Sequence, residues 1–184
     1  LADWEPALAM CEIRKSNKLE SVSVGFSKEI VTTMGGFRIV PDIALNAVDP
    51  DEAALFILPG GEMWERGGSD EVRELLGRLR SKDVPVAAIC AATLEVVRAG
   101  LTHGVKHTSN ALGYLKAMLP EYADGDFYED QPAVLDGNLI TASGLGSVDF
   151  AYRIIKLLKI YNDEEAWELY EMFKNGIIPA RFMA

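Results

Sequence analysis

The chain has 184 residues, with 18 Lys+Arg against 28 Asp+Glu and a formal net charge of −10. Hydrophobic residues make up 49% and charged residues 25%, which excludes a disordered or collagen-like chain and suits one domain, residues 1–184, with a full core. The acidic excess argues against a nucleic-acid partner, and the longest apolar runs, 53–59 and 84–92, are too short to span a bilayer, so no membrane partner is expected.

From the N-terminus, Asp3 is placed to cap a helix running to Lys15, with Pro6 tolerated in its first turn. Trp4, Leu8 and Cys11 fall at i, i+4 and i+7 and form its expected inward stripe. Residues 19–26 read as a strand, while 29–33 and 37–40 flank Gly35-Gly36 and read as a hairpin. Residues 54–58 are a continuous apolar run ending in Pro59-Gly60-Gly61, the pattern of a fully buried strand. A helix is expected over 70–80, with Val72, Leu75, Leu76 and Leu79 inward. Residues 84–89 form a second buried strand, followed directly by a helix over 91–99 that Gly100 ends. A short strand at 105–108, a helix at 111–119 and a small strand pair at 127–129 and 133–135 come next. Residues 139–142 are a strand running into Ser143-Gly144-Leu145-Gly146-Ser147. Ser147 is placed to cap a helix through 158, and an amphipathic helix covers 163–173.

Buried apolar strands alternating with helices mean a mostly parallel sheet covered on both faces, a doubly wound α/β sandwich of flavodoxin-like type. Ligands in such folds collect at the C-terminal ends of the strands. The three sharpest turns, Pro59-Gly60-Gly61, Cys90-Ala91-Ala92 and 143–147, all fall there.

Cys90 lies where a buried strand turns into a helix among small residues, the pattern of a nucleophile elbow. That position exposes the thiol at a helix N-terminus, where the dipole and free N–H groups favour a thiolate, and aims the Ala91 N–H at an oxyanion. The plain alternative is a buried, inert cysteine. The only other cysteine is Cys11, expected in the core. Two scattered thiols make no disulfide scaffold and point to a reducing cytoplasm. With only His103 and His107 beside them, they supply no recognisable metal site, and no cofactor is expected.

Cys90 in Ala-Ile-Cys-Ala-Ala, the Leu58-Pro59-Gly60-Gly61 turn, Thr108-Ser109-Asn110, the run 140–144 and Asp3-Trp4-Glu5 together resemble the ThiJ/PfpI superfamily, of the class I glutamine-amidotransferase-like fold. The order and spacing match over essentially the whole chain. Members have been described as intracellular proteases or amidases, glyoxalases, deglycases, chaperones and oxidative-stress sensors. The resemblance implies a cysteine-dependent enzyme acting on a small carbonyl or amide substrate, or a non-enzymatic stress sensor or chaperone with an oxidisable Cys90. It implies that Glu5 faces Cys90 as a protonated acid/base partner; the bland reading of Glu5 is a first-turn acid favoured by its helix dipole. It also implies a homodimer or higher oligomer, and a sheet strand preceding Leu1, roughly ten residues long with its connection.

Gly60 and Gly61 let the backbone approach a ligand, with the Gly61 N–H joining Ala91 as an oxyanion donor. Trp64 and Glu62 follow this turn and are read either as pocket wall or as surface. Many relatives carry His directly after the Cys, where this chain has Ala91, or after the short strand, where it has Asn110. His107, three residues earlier, is expected to point away from Asn110, and His103 to be solvated. This leaves a Cys-His protease triad without its base. Ala88 and Ala92 replace both glycines of the glutaminase elbow G-x-C-x-G. Gly144-Leu145-Gly146 lacks the third glycine of a dinucleotide fingerprint. The acidic, Lys/Arg-free stretch between Lys116 and Arg153 reads as a solvated face.

Overall fold

In the computed structural model, which describes residues 1–183, α1 (Trp4–Ser16) leads into four two-residue strands: β1 (Val24–Gly25), β2 (Val31–Thr32), β3 (Arg38–Ile39) and β4 (Ile43–Ala44). β1 pairs in parallel with β4, and β2 pairs antiparallel with β3 across the expected hairpin. The strand expected at 19–26 shrinks to Val24–Gly25. The reason lies at Ser23, whose amide and hydroxyl both bond the Asp42 carboxylate instead of extending a ladder.

The central sheet is built from β5 (Phe56–Leu58), β6 (Val86–Ile89), β7 (Ala133–Asp136) and β8 (Leu139–Ala142), in the order β5-β6-β8-β7. β5, β6 and β8 run parallel, and β7 lies antiparallel on the edge. The four residues of β6 are all buried, and alternation along the strand sends them to opposite faces. Val86 and Ala88 pack with Val72, Leu75, Leu76 and Leu79 of α3 (Asp70–Ser81) and Val96 of α4 (Thr93–Arg98). Ala87 and Ile89 pack with Ala9 and Ile13 of α1, with Phe150, Ile154 and Ile155 of α6 (Ser147–Leu157), and with Ala166 of α7 (Asp163–Asn175). The mostly parallel sheet is therefore covered on both faces, in the flavodoxin-like α/β arrangement. Short helices α2 (Glu62–Glu65) and α5 (Leu112–Met118) complete the α-helices among the described residues. No helix among the described residues is long and apolar enough to cross a membrane.

Several local expectations are corrected. The partner of β7 is β8, reached through Gly137 at φ +55°; the Asp136-Gly137-Asn138 turn makes that hairpin, and 127–129 forms no strand. At 105–108 only an isolated bridge, His107 to Tyr128, is present. The helix expected over 91–99 is a single 3-10 turn, Cys90–Ala92, followed by α4. Ser147 is the first residue of α6 and not its cap; Gly146 holds the cap position because a Cβ there would stand 2.3 Å from the Pro132 carbonyl oxygen.

α1 is also rotated from its expected setting. Trp4 is 53% exposed and Cys11 is exposed, while the buried face carries Glu5, Pro6, Ala9, Glu12 and Ile13. Of the expected stripe Trp4, Leu8 and Cys11, only Leu8 packs, half-buried, against the core, and two carboxyls share the inward face. Glu12 is satisfied there by the Tyr161 hydroxyl and Lys15. Asp3 makes no cap bond and instead accepts the Gly35 N–H at 2.6 Å.

Candidate active site

β5 and β6 end side by side, and the turns beyond them bring residues 59–61 against Cys90. Cys90 has φ +60°, the left-handed region that a residue with a Cβ adopts only under strain. Small neighbours make the bend feasible: Ala88, Ala91 and Ala92 are all buried. The Thr93 hydroxyl donates to the Cys90 carbonyl at 2.6 Å and stands 2.6 Å from the Ser109 hydroxyl, fixing the turn from below.

Glu5 approaches from α1 and is fully buried. Its Oε2 accepts the Gly60 N–H at 2.6 Å, while Oε1 has no hydrogen-bond partner among the described residues. Gly60 lies against both the acid and the thiol. A Cβ at residue 60 would stand 2.8 and 2.9 Å from the two Glu5 oxygens and 3.0 Å from the Cys90 Cβ, so glycine alone permits the approach. Because the Gly60 amide is engaged by Glu5, it is no free backbone donor for a ligand. The Gly60 carbonyl accepts the Ala2 N–H at 3.0 Å. Gly61 follows as an extended residue at the start of α2.

Burial raises the Glu5 pKa, against the opposing effects of the Gly60 N–H and of Cys90. Burial also raises the Cys90 thiol; the Asn110 amide and the Ala91 N–H pull it down, and the Glu5 charge pushes it further up. The expected thiolate-favouring shift is therefore reversed. The elbow offers one 3-10 turn and a six-residue α4 in place of a long helix dipole, and desolvation of the sulfur outweighs it.

Asn110 closes the far side. Its Nδ2 lies 3.5 Å from Sγ, and its Oδ1 accepts the Gly144 N–H at 2.9 Å. Gly144 itself faces the sulfur, a role that sequence reasoning missed although the 143–147 turn had been placed at the right end of the sheet. The absence of a side chain at that turn was the usable signal.

Trp64 is neither open pocket wall nor surface. It is buried, its indole N–H donates to the Pro59 carbonyl at 2.9 Å, and its carbonyl accepts from Arg98 at 2.7 Å. It supports the 59–61 turn from within the core. Glu62 is exposed and pairs with Arg66 at 2.7 Å. Both histidines are engaged elsewhere. His107 is buried, with Nδ1 2.7 Å from the Val105 carbonyl and Nε2 2.5 Å from the Tyr122 hydroxyl; His103 is solvated and stands 2.9 Å from Asp124.

A model of the DJ-1/PfpI family matches residues 1–157. The chain is 35% identical over 181 residues to a Bacillus subtilis protein named uncharacterized protease YoaZ, covering 95% of this chain and 86% of that one. It is 31% identical over 136 residues to deglycase PfpI of Pyrococcus furiosus, covering 73% and 80%. Among solved structures, a ThiJ/PfpI family protein from Bacillus anthracis superposes with a TM-score of 0.90 at 36% identity, covering 100% of this chain and 89% of that one.

Proposed function

The chain belongs to the DJ-1/PfpI family, and from that premise we propose that it is a cysteine-dependent enzyme acting on small carbonyl or amide compounds, with Cys90 as nucleophile and Glu5 as its acid/base partner. The observation that carries this reading is the juxtaposition of a thiol on a strained turn with a buried carboxyl that keeps one oxygen unpartnered. Buried titratable groups with displaced pKa values are characteristic of reacting sites.

Sγ would add to the carbonyl carbon as its proton passes to Glu5 Oε1. With a 2-oxoaldehyde, that proton is returned to the former aldehyde oxygen to give a hemithioacetal, which would isomerise through the enediol, Glu5 carrying the proton from that carbon to its neighbour, and water would hydrolyse the resulting thioester to a 2-hydroxy acid and free Sγ. With an amide, the thiol proton leaves on the departing nitrogen, and water then hydrolyses the thioester. The Ala91 and Gly61 amides would face the developing oxyanion. With both histidines engaged elsewhere, the aldehyde route is favoured over a triad protease. The names of two relatives, a protease and a deglycase, fall in these same two classes.

The test is turnover on a panel of 2-oxoaldehydes and chromogenic amides. Cys90→Ala removes activity and Cys11→Ala leaves it unchanged; retained activity in the Cys90 variant would sink the reading. A second reading, a non-enzymatic oxidation sensor, is favoured by the unpartnered Glu5 oxygen, which once protonated can donate to a sulfinate on Cys90. Intact mass after mild peroxide separates the two: a gain of two oxygens at Cys90 without turnover on any panel member selects the sensor. We further infer an intracellular homodimer. Unpaired cysteines and exposed apolar side chains on α1 and the 31–39 hairpin, including Trp4, Val31 and Phe37, support it, and sedimentation velocity tests the association.

A further inference from the structure

The outer wall of the Cys90 site is formed by α2 and α5. α2 packs against the Cys90–Ala92 turn, and α5 begins just after Asn110, whose amide reaches the sulfur. Tyr114 lies one helical turn beyond Asn110. Its hydroxyl donates to Glu65 Oε1 at 2.9 Å and straps α5 to α2. Burial, the Glu65 carboxylate and the charge of Cys90 push the Tyr114 hydroxyl upward, which favours its protonated form as the donor to Glu65.

The charges around this strap are uneven. Arg98 is occupied by the Trp64 carbonyl and the buried Glu95, Arg73 by Glu95, and Arg66 by Glu62. Glu65 has no cation within ion-pair distance among the described residues.

We propose that the Tyr114–Glu65 pair sets the charge specificity of the site. It holds an unneutralised carboxylate at the mouth, so neutral or cationic small electrophiles reach Sγ and carboxylate-bearing ones are disfavoured. Resting on the reading of Cys90 as the reacting atom, this points to uncharged aldehydes or amine-bearing carbonyl compounds as substrates, in preference to 2-oxo acids.

The test needs no turnover. In a Cys11→Ala background at low ionic strength, Cys90 is alkylated with iodoacetamide, which is neutral, and with iodoacetate, which is anionic. Glu65→Gln lowers the iodoacetamide-to-iodoacetate rate ratio about two- to fourfold, the size expected for one solvent-screened surface charge. Tyr114→Phe moves it in the same direction, because the freed carboxylate swings into solvent. Glu71→Gln on α3 makes the same change in net charge and leaves the ratio alone. An unchanged ratio in Glu65→Gln or Tyr114→Phe, an equal shift in Glu71→Gln, or a folded-state Cys90 closed to both reagents overturns the proposal. The predicted ratios without turnover on the carbonyl panel would instead sink the enzyme reading and leave this one standing.

Discussion

Gly144 stands against the Cys90 sulfur so closely that a Cβ at residue 144 would lie 2.9 Å from Sγ and 3.2 Å from the Cys90 Cβ. The Gly144 amide is meanwhile fixed by Asn110 Oδ1, so the loop cannot retreat without giving up the contact that orients Asn110. Gly144→Ala is therefore expected to slow Cys90 alkylation at least about tenfold and to cost about 1–3 kcal/mol of stability, the usual range for overpacking. Gly113→Ala is the contrast: its site in α5 is open, with nothing within 4 Å of an added Cβ, and the change should stabilise by about 0.5–1 kcal/mol. Alkylation rates and urea midpoints of the two variants check this.

Burial of Glu5 also links stability to pH. Its pKa in the folded chain is raised above 4.5, so the folded state holds a proton that the unfolded chain releases. The stability Glu5 contributes is fully present below its unfolded pKa and is lost as pH rises through the raised one. Glu5→Gln cannot ionise, yet its side-chain oxygen can still accept the Gly60 N–H. Across that window the variant should gain stability relative to the parent as pH increases. Urea midpoints measured at a series of pH values test the sign, and a difference that stays flat would contradict it.

The two-faced sheet and the elbow were legible because they rest on local rules. All-apolar β6 and the small residues around Cys90 state burial and bend directly. Glu5 was legible only through family resemblance, since periodicity turned α1 the other way. Apolar spacing selects Trp4, Leu8 and Cys11, whereas the packed face takes Glu5 and Glu12 because distant groups, the Gly60 amide and the Tyr161 hydroxyl, satisfy them. No pattern within thirteen residues of helix encodes those partners. The thiol's titration failed for a similar reason: a helix N-terminus is visible in sequence, whereas the desolvation that overrides it is a property of the packed site.

Strain at Cys90 makes a separate prediction. At φ +60° any side chain with a Cβ pays roughly 1–2 kcal/mol that glycine does not. Cys90→Gly should therefore be more stable than Cys90→Ala by about 1 kcal/mol, with both lacking the thiol. If alanine proves the more stable, the elbow is not held under strain. Paired thermal or urea unfolding curves distinguish the two outcomes.

The thiol itself should titrate high. Burial and the neighbouring carboxylate raise Cys90, while the Asn110 amide and the Ala91 N–H oppose them. In a Cys11→Ala background, the iodoacetamide rate should keep rising with pH beyond the range of an ordinary thiol, about 8.5. Asn110→Ala removes a donor to the sulfur and moves the profile further up. Glu5→Gln removes a negative charge and moves it down, because above the Glu5 pKa the carboxylate disfavours the thiolate. An upward move in Glu5→Gln would mean instead that Glu5 already holds the thiol proton in the resting site, rather than accepting it only as Sγ attacks a carbonyl. The direction of that one shift thus decides whether the resting acid restrains the nucleophile or activates it.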